Sequence, residues 1–371
     1  MEAILPNLWD ENQLKPPRES KLQAAISFHF KSEKGQGDSS QTRCTLPLAN
    51  TIFENGLQST LQASRWRQPK PESSLELAHL TDRQVQDVNC SISSSSARFH
   101  IEAPLVPITA PRKILTGLGN IIRQIEADGK AAPASGELET AVQTLFDKRT
   151  KEGHEFPPGP VGVWAVVLPQ GPMQAKHIER LQEWAKELDK KVTAEEEWVQ
   201  ALDSKAVVQS LLRHGARVYR ILSGGGGWGK KQGLLSLDPE TTYSPSSEEE
   251  DLDSFIRSFT SQHDGSAQEG VVAPGSYIQY FVTPAASARP ALSAENVSTL
   301  SLAFGTSESA LAEDSSLAEG PSGWELVPGH FGAVTSHGVF IASRAGDEPY
   351  SDESKLDTPG AWLGFEKESD M

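Results

Sequence analysis

The residues best suited to chemistry lie in one run, Gly224-Gly225-Gly226-Gly227-Trp228-Gly229-Lys230-Lys231. It follows the phosphate-loop pattern G-x-x-x-x-G-K-[ST] up to its last position. There Lys231 replaces the hydroxyl residue that would bind magnesium. Glycines let backbone N–H groups turn toward an anion and let it come close. Lys230 brings positive charge at the right spacing, and Trp228 offers a ring on which a base or sugar could stack. A phosphate loop also needs a helix directly behind it, so that the helix N-terminus faces the anion. Gln232-Gly233-Leu234-Leu235-Ser236-Leu237 runs into Pro239 within two turns and reads as a strand or short turn. No apolar strand ends in an Asp that could hold the metal, since Val161 to Leu168 runs into Pro169. The run is therefore read as an anion site and not as a nucleotide-hydrolysing loop.

Charge supports that choice. From Ser204 to Leu237 there is no Asp or Glu, while Lys205, Arg213, Arg217, Arg220, Lys230 and Lys231 contribute six positive charges. The chain as a whole carries −16, so the remainder carries −22. Segregation of this kind focuses potential locally. It makes Arg217 and Arg220, on the strand leading into the glycines, the expected supports of the site. Strand alternation puts Arg217 with Tyr219 on one face and Arg220 with Val218 on the other. The overall acidity opposes nonspecific binding to nucleic acid or anionic membrane.

Other constellations are thinner. His330 and His337 form a local pair without a third zinc ligand. Gly305-Thr306-Ser307-Glu308-Ser309 lacks the last glycine of a nucleophile elbow. The expected catalytic set and metal set are therefore empty, and no cofactor is specified. Cys44 and Cys90 are the only cysteines and are expected as buried free thiols of a reducing compartment. No apolar run approaches the roughly 20 residues of a membrane helix. The acidic start, MEAILPNLWDENQ, has no signal-peptide or presequence character. The expectation is a soluble intracellular protein of the cytoplasm or mitochondrial matrix, not a secreted one.

The elements that must position the glycine run are read as follows. Residues 1–22 form a flexible arm and residues 23–110 a β-rich region. Within that region Asn55-Gly56 joins two extended runs, Cys44 to Phe53 and Leu57 to Trp66, as a hairpin. Residues 111–237 form an α/β region. Ile114, Leu115, Leu118, Ile121, Ile122 and Ile125 recur at helix spacing, and Leu138 to Phe146 gives a second helix. Val161 to Leu168 reads as a strand buried on both faces. Helices follow around Ile178 to Leu188 and from Thr193 to Arg213, the latter closed by Gly215. Ala216 to Leu222 is the next strand, and a parallel crossover is the expected pairing. Residues 238–275 are an acidic disordered insert, 276–344 a β-meander and 345–371 an acidic tail. The fold class is α+β: a β-rich N-terminal part, a central α/β crossover unit and a C-terminal β-meander.

Two stretches, SGGGGWGKKQGLLSLDP and TLPLANTIFENG, resemble segments of uncharacterised filamentous-fungal proteins, some of them mitochondrial. The resemblance implies no mechanism. The glycine run also resembles the phosphate-covering flaps of ATP-grasp enzymes, without the acidic metal ligands that such domains carry. The function read from the residues is a noncatalytic binding or assembly factor for RNA phosphate or a phosphorylated ligand. One competing reading is an enzyme that uses ATP or a phosphorylated substrate, with the run as a phosphate lid. Another is an acidic scaffold that recruits basic protein partners through its inserts.

Overall fold

The computed structural model describes residues 2–6, 23–34, 38–56, 59–70, 74–91, 98–151, 162–186, 199, 201, 205–224, 233–243, 272–284, 300–306, 331–335, 337–345 and 351–366. In chain order the strands are β1 (Glu2–Ile4), β2 (Ala25–Lys34), β3 (Asp38–Pro47), β4 (Gln62–Arg67), β5 (Glu76–Asp82), β6 (Val85–Ser91), β7 (Arg98–Glu102), β8 (Val106–Pro107), β9 (Arg112–Leu118) and β10 (Ile121–Ala127). They continue as β11 (Lys130–Pro133), β12 (Val163–Leu168), β13 (Arg217–Gly224), β14 (Leu235–Leu237), β15 (Tyr277–Val282), β16 (Leu300–Thr306), β17 (Phe331–Thr335), β18 (Val339–Ala345), β19 (Ser351–Leu356) and β20 (Trp362–Glu366). The helices are α1 (Ile52–Asn55), α2 (Ala134–Lys151), α3 (Gln174–Ala185) and α4 (Lys205–Arg213). The protein is thus strand-rich with a few helices.

The central sheet closes on itself. Around the ring, β9, β10, β14, β13, β12 and β15 pair in that order, and β15 pairs back to β9, every pair antiparallel. The result is a six-stranded barrel, with β11 added beside β10 and β8 beside β15. Alternation along each strand sends one set of side chains inward. Ile114, Ile122, Ile125, Ala165, Val167, Tyr219, Leu235, Leu237, Ile278 and Tyr280 are buried there and fill the interior. The opposite set faces outward: Trp164, Val166, Leu168, Val218 and Phe281 join a second apolar core. That explains the near-continuous apolar run of β12, which is buried on both faces as expected.

Two further sheets supply the second core. One runs β1-β6-β2-β3-β18-β19 and the other β17-β16-β20-β7. Phe28 and Phe304 join them, with ring centroids 4.6 Å apart. Cys44 and Cys90 lie in this core, both buried and unbonded to each other. Burial pushes both thiols up, Cys90 to about 11. Helices α3 and α4 pack onto the same core through Leu181, Val208 and Leu211.

Several expected elements take a different form. Residues 112–127 are a β-hairpin and not a helix, turning at Gly119-Asn120. Register shifts between Ile122 and Ile125 bring both inward three residues apart, which imitates helical spacing. Asn55-Gly56 is not a hairpin turn either. It closes the single turn α1, where Gly56 (φ 77°) returns its N–H to the Ile52 carbonyl. The crossover is antiparallel: Trp164 stands opposite Arg220 and Val167 opposite Arg217. The cause is the helical connection. His177 meets His214, and Arg180 bonds Ser210, so α3 and α4 run in opposite directions and return the chain to the end of the sheet it left. No meander forms from β17 and β18. The first pairs parallel to β16, and the second crosses to β3, placing Ile341 beside Cys44. The C-terminal stretch read as a tail contributes β19 and β20. Most of the helical reading from Thr193 to Ser204, residues 244–271 of the acidic insert and the arm residues 7–22 lie outside the described residues.

His177 is 1% exposed, and neither of its ring nitrogens has a hydrogen-bond partner among the described residues. Burial, then the neighbouring His214, Arg180 and Lys176, hold its pKa below the ordinary histidine value. The depressed group favours the folded state at neutral pH and withdraws that stability as pH falls through its folded value. Thermal melts from pH 7.5 to pH 5 should therefore show a falling Tm, and His177→Phe should flatten that fall.

Candidate functional site

The glycine run begins at the end of β13 and is followed by a strand. Gly224 pairs with Leu235 and Ser223 with Ser236, so β13 and β14 are the two sides of a β-hairpin. Gly225, Gly226, Gly227, Trp228, Gly229, Lys230 and Lys231 lie outside the described residues. The chain behind them runs through β14, consistent with the strand or short turn expected there and unlike the helix of a phosphate loop. A Cβ on Gly224 would stand 2.8 Å from Leu235 Cδ1 and 3.2 Å from Leu138 Cδ2. The first residue of the run is thus held by close packing of a strand against a helix.

That helix is α2, and its first turn forms the seat of the hairpin. The Ser135 N–H donates to the Gly233 carbonyl at 3.4 Å. Ala134 and Leu138 close this end of the barrel, packing with Leu235 and Tyr280. The Tyr280 hydroxyl donates to the Ala134 carbonyl at 3.1 Å, and burial drives its pKa far up, so it stays a donor. At the other end of α2, Arg149 donates to the Thr283 carbonyl at 2.9 Å. The carboxylate in the first turn, Glu137, accepts from Arg112 Nε at 2.6 Å. Burial raises its pKa, while Arg112 pulls it down. The other Arg112 branch reaches Asp128 at 3.4 Å.

Arg217 and Arg220 both stand on β13, which leads into the glycine run. Arg217 is seven residues from Gly224, roughly 23 Å along an extended strand, and shares a face with Tyr219. Arg220 points to the other face, where its charge acts on Asp357. Among the described residues the acid-free basic stretch is therefore spread over α4 and both faces of β13. Alternation in the sequence already separates the two arginines by face; their distance from the run follows from counting residues along the strand.

A polar cluster that sequence reasoning missed lies where the segment after β14 crosses β19. Lys355 bridges Asp238 at 3.4 Å and also bonds Glu240, with its ammonium 5.5 Å from the Phe340 ring centroid. Trp164 Nε1 donates to Asp357 at 2.7 Å. Burial raises the Asp357 pKa, with Lys355 and the indole opposing it. Glu353 takes Arg43 on one oxygen and Thr242 on the other. A cleft with room for about 10 Å³, no more than a water, lies beside them, bordered by Arg43, Thr242, Tyr243, Phe340 and Glu353. That is far below the size of a ligand pocket, and here the charges face one another. The cluster reads as a lock between the barrel and the outer sheet. No sequence signal joins its members, which come from stretches more than 110 residues apart.

Of the histidine pair, His330 lies outside the described residues. Burial and Lys355 lower the His337 pKa. Among the described residues no group of three or more metal-ligating side chains is found, and no helix is long and apolar enough to cross a membrane. Comparison of the chain with protein-family models, with curated proteins and with solved structures returns no match.

Lys355→Met should destabilise the fold by roughly 3 kcal/mol in urea unfolding, because Asp238 and Asp357 lose their cation while remaining largely buried. A change below about 0.5 kcal/mol would show that the lock contributes nothing.

Proposed function

We propose that the protein is a noncatalytic binding or assembly factor, and that the hairpin tip, residues 225–231, binds RNA phosphate or a phosphorylated ligand. The observation that carries the reading is the seating of the hairpin on the first turn of α2. The chain leaves at Gly224 and returns at Gly233, and both ends of the run are anchored to one corner of a closed barrel. An 18-residue helix presents its N-terminal, positive end to the same corner. Lys230 and Lys231 add two positive charges there without Arg217 or Arg220. The reading is thus narrower than the basic stretch as a whole.

Anisotropy titrations of a labelled single-stranded RNA across a salt series test it. Affinity should fall steeply with salt. Lys230→Ala with Lys231→Ala should weaken binding and make the log–log salt slope shallower by about 1.4, since each lost contact to a single strand removes about 0.7. Arg217→Ala should leave the slope unchanged. Equal affinity and slope for the double variant and the unmodified protein would overturn the reading.

A further inference from the structure

Strands β4 and β5 form a two-stranded ribbon that, among the described residues, pairs with no other strand. Of the eleven large apolar side chains exposed among the described residues, six lie between Ile52 and Leu80, on this ribbon or just beside it. Phe53 is fully exposed at 101%, and Trp66, Leu77 and Leu80 are about half exposed at 54%, 48% and 49%. A free two-stranded ribbon is marginal in water, and a further strand is the ordinary remedy.

The register sorts the two faces. Ser64 stands opposite Leu80 and Arg65 opposite His79; the ladder then slips, so that Trp66 meets Leu77 and Arg67 meets Glu76. Without the slip, Leu77 and Leu80 would lie on opposite faces. With it, Trp66, Leu77 and Leu80 share one face, and the Trp66 indole donates to Ser64 at 3.0 Å on that same face. Arg65, Arg67, His79 and Glu76 occupy the other face. The Arg67–Glu76 pair is 3.8 Å apart and well exposed. From Gln62 to Lys70 there are three positive charges and no acid, in a chain of net charge −16.

We infer that the β4 edge is a docking site for an extended peptide of alternating apolar and acidic residues, added as a third strand. Main-chain hydrogen bonds to the edge supply affinity, and alternation supplies specificity. The apolar side chain of the added strand that stands opposite Trp66 packs on its indole, and the side chains on either side of it lie beside Arg65 and Arg67. The β5 edge carries Glu76 and Asp82 and repels such a peptide. Three other occupants fit less well. A second copy pairing edge to edge would set arginines against arginines. A single-stranded nucleic acid needs stacking and phosphate contacts on one side, and here Trp66 and the arginines are on opposite faces. A lipid surface suits the apolar face but leaves the main-chain groups of the edge unsatisfied in hydrocarbon. This site is separate from the glycine hairpin and stands or falls independently of it.

The test uses the full chain and a fluorescein-labelled peptide of four valine–glutamate repeats, followed by anisotropy. Saturable binding is expected. It should weaken at least tenfold for Trp66→Ser with Leu77→Ser and Leu80→Ser, for Arg65→Glu with Arg67→Glu, and for a peptide N-methylated at alternate residues. A valine–lysine peptide should not bind. The substituted side chains are exposed, and circular dichroism should show an unchanged fold. No binding, or binding indifferent to both variants, overturns the inference. So does transfer of the dependence on Trp66, Leu77 and Leu80 to phosphatidylserine–phosphatidylcholine vesicles, to polyuridylate or to self-association in sedimentation velocity.

Discussion

Everything else in the structure depends on the pairing of β15 back to β9, through Tyr277 opposite Lys113 and Ile278 opposite Arg112. Without it the central sheet is an open ribbon with two unpaired edges. With it the interior becomes a sealed apolar volume in which Tyr280 and Ile122 are wholly buried. Closure also fixes both ends of the barrel. One receives Val272, whose N–H donates to the Gly119 carbonyl at 3.1 Å. The other receives α2, whose start is the seat of the glycine hairpin. Gly224 and Gly233 therefore have a defined position because a barrel end needs a plug, and the helix that serves as plug holds them both.

The barrel does not stand alone, because β12, β13 and β15 are apolar on their outer faces as well. Trp164, Val218 and Phe281 belong to the same core as Phe28, Cys44 and Phe304. Burial on both faces leaves little room for polar substitution, and among the described residues the polar contacts that cross this junction are paired. Trp164 has its indole N–H satisfied by Asp357, and Lys355 is held between acids. An indole or ammonium left alone there would lose hydration without gaining a partner.

Legibility in the sequence followed the range of the forces. Strand β12 and helix α2 were readable because their periods are local: an unbroken apolar run in one, a stripe through Leu138, Val142 and Leu145 in the other. The hairpin β9–β10 was not, because a bulge between Ile122 and Ile125 converts a period of two into three. The direction of β13 depended on how many helical passes precede it, which composition does not encode. The pairing of β18 with β3 joins residues about 300 positions apart, and nothing in QTRCT or FIASR names the other. Strand β19 reads as polar tail because Ser354 and Leu356 are buried while the residues between and before them reach the charged lock. The strand that follows the glycine run was legible, as was the opposition of Arg217 and Arg220 across β13. The ribbon's apolar face was not, since Leu77 and Leu80 share it only through a slip in register.

The same barrel gives the two exposed features different physical characters. The glycine hairpin is an extension of barrel strands, and its roots are fixed by van der Waals contact with Leu138 and by the Gly233 carbonyl. A ligand there would meet a site whose foundations are already ordered, so little of its binding energy is spent on organising the protein. The β4–β5 ribbon shows no such foundation among the described residues: both faces are largely solvent-exposed, and its strands pair there with each other alone. A partner there would supply part of the ordering itself, as a third strand does for a marginal pair. Affinity at the hairpin would then be governed by charge and salt, and at the ribbon by apolar contact and main-chain pairing. One acidic chain would keep both without conflict, because the two surfaces would select by different chemistry.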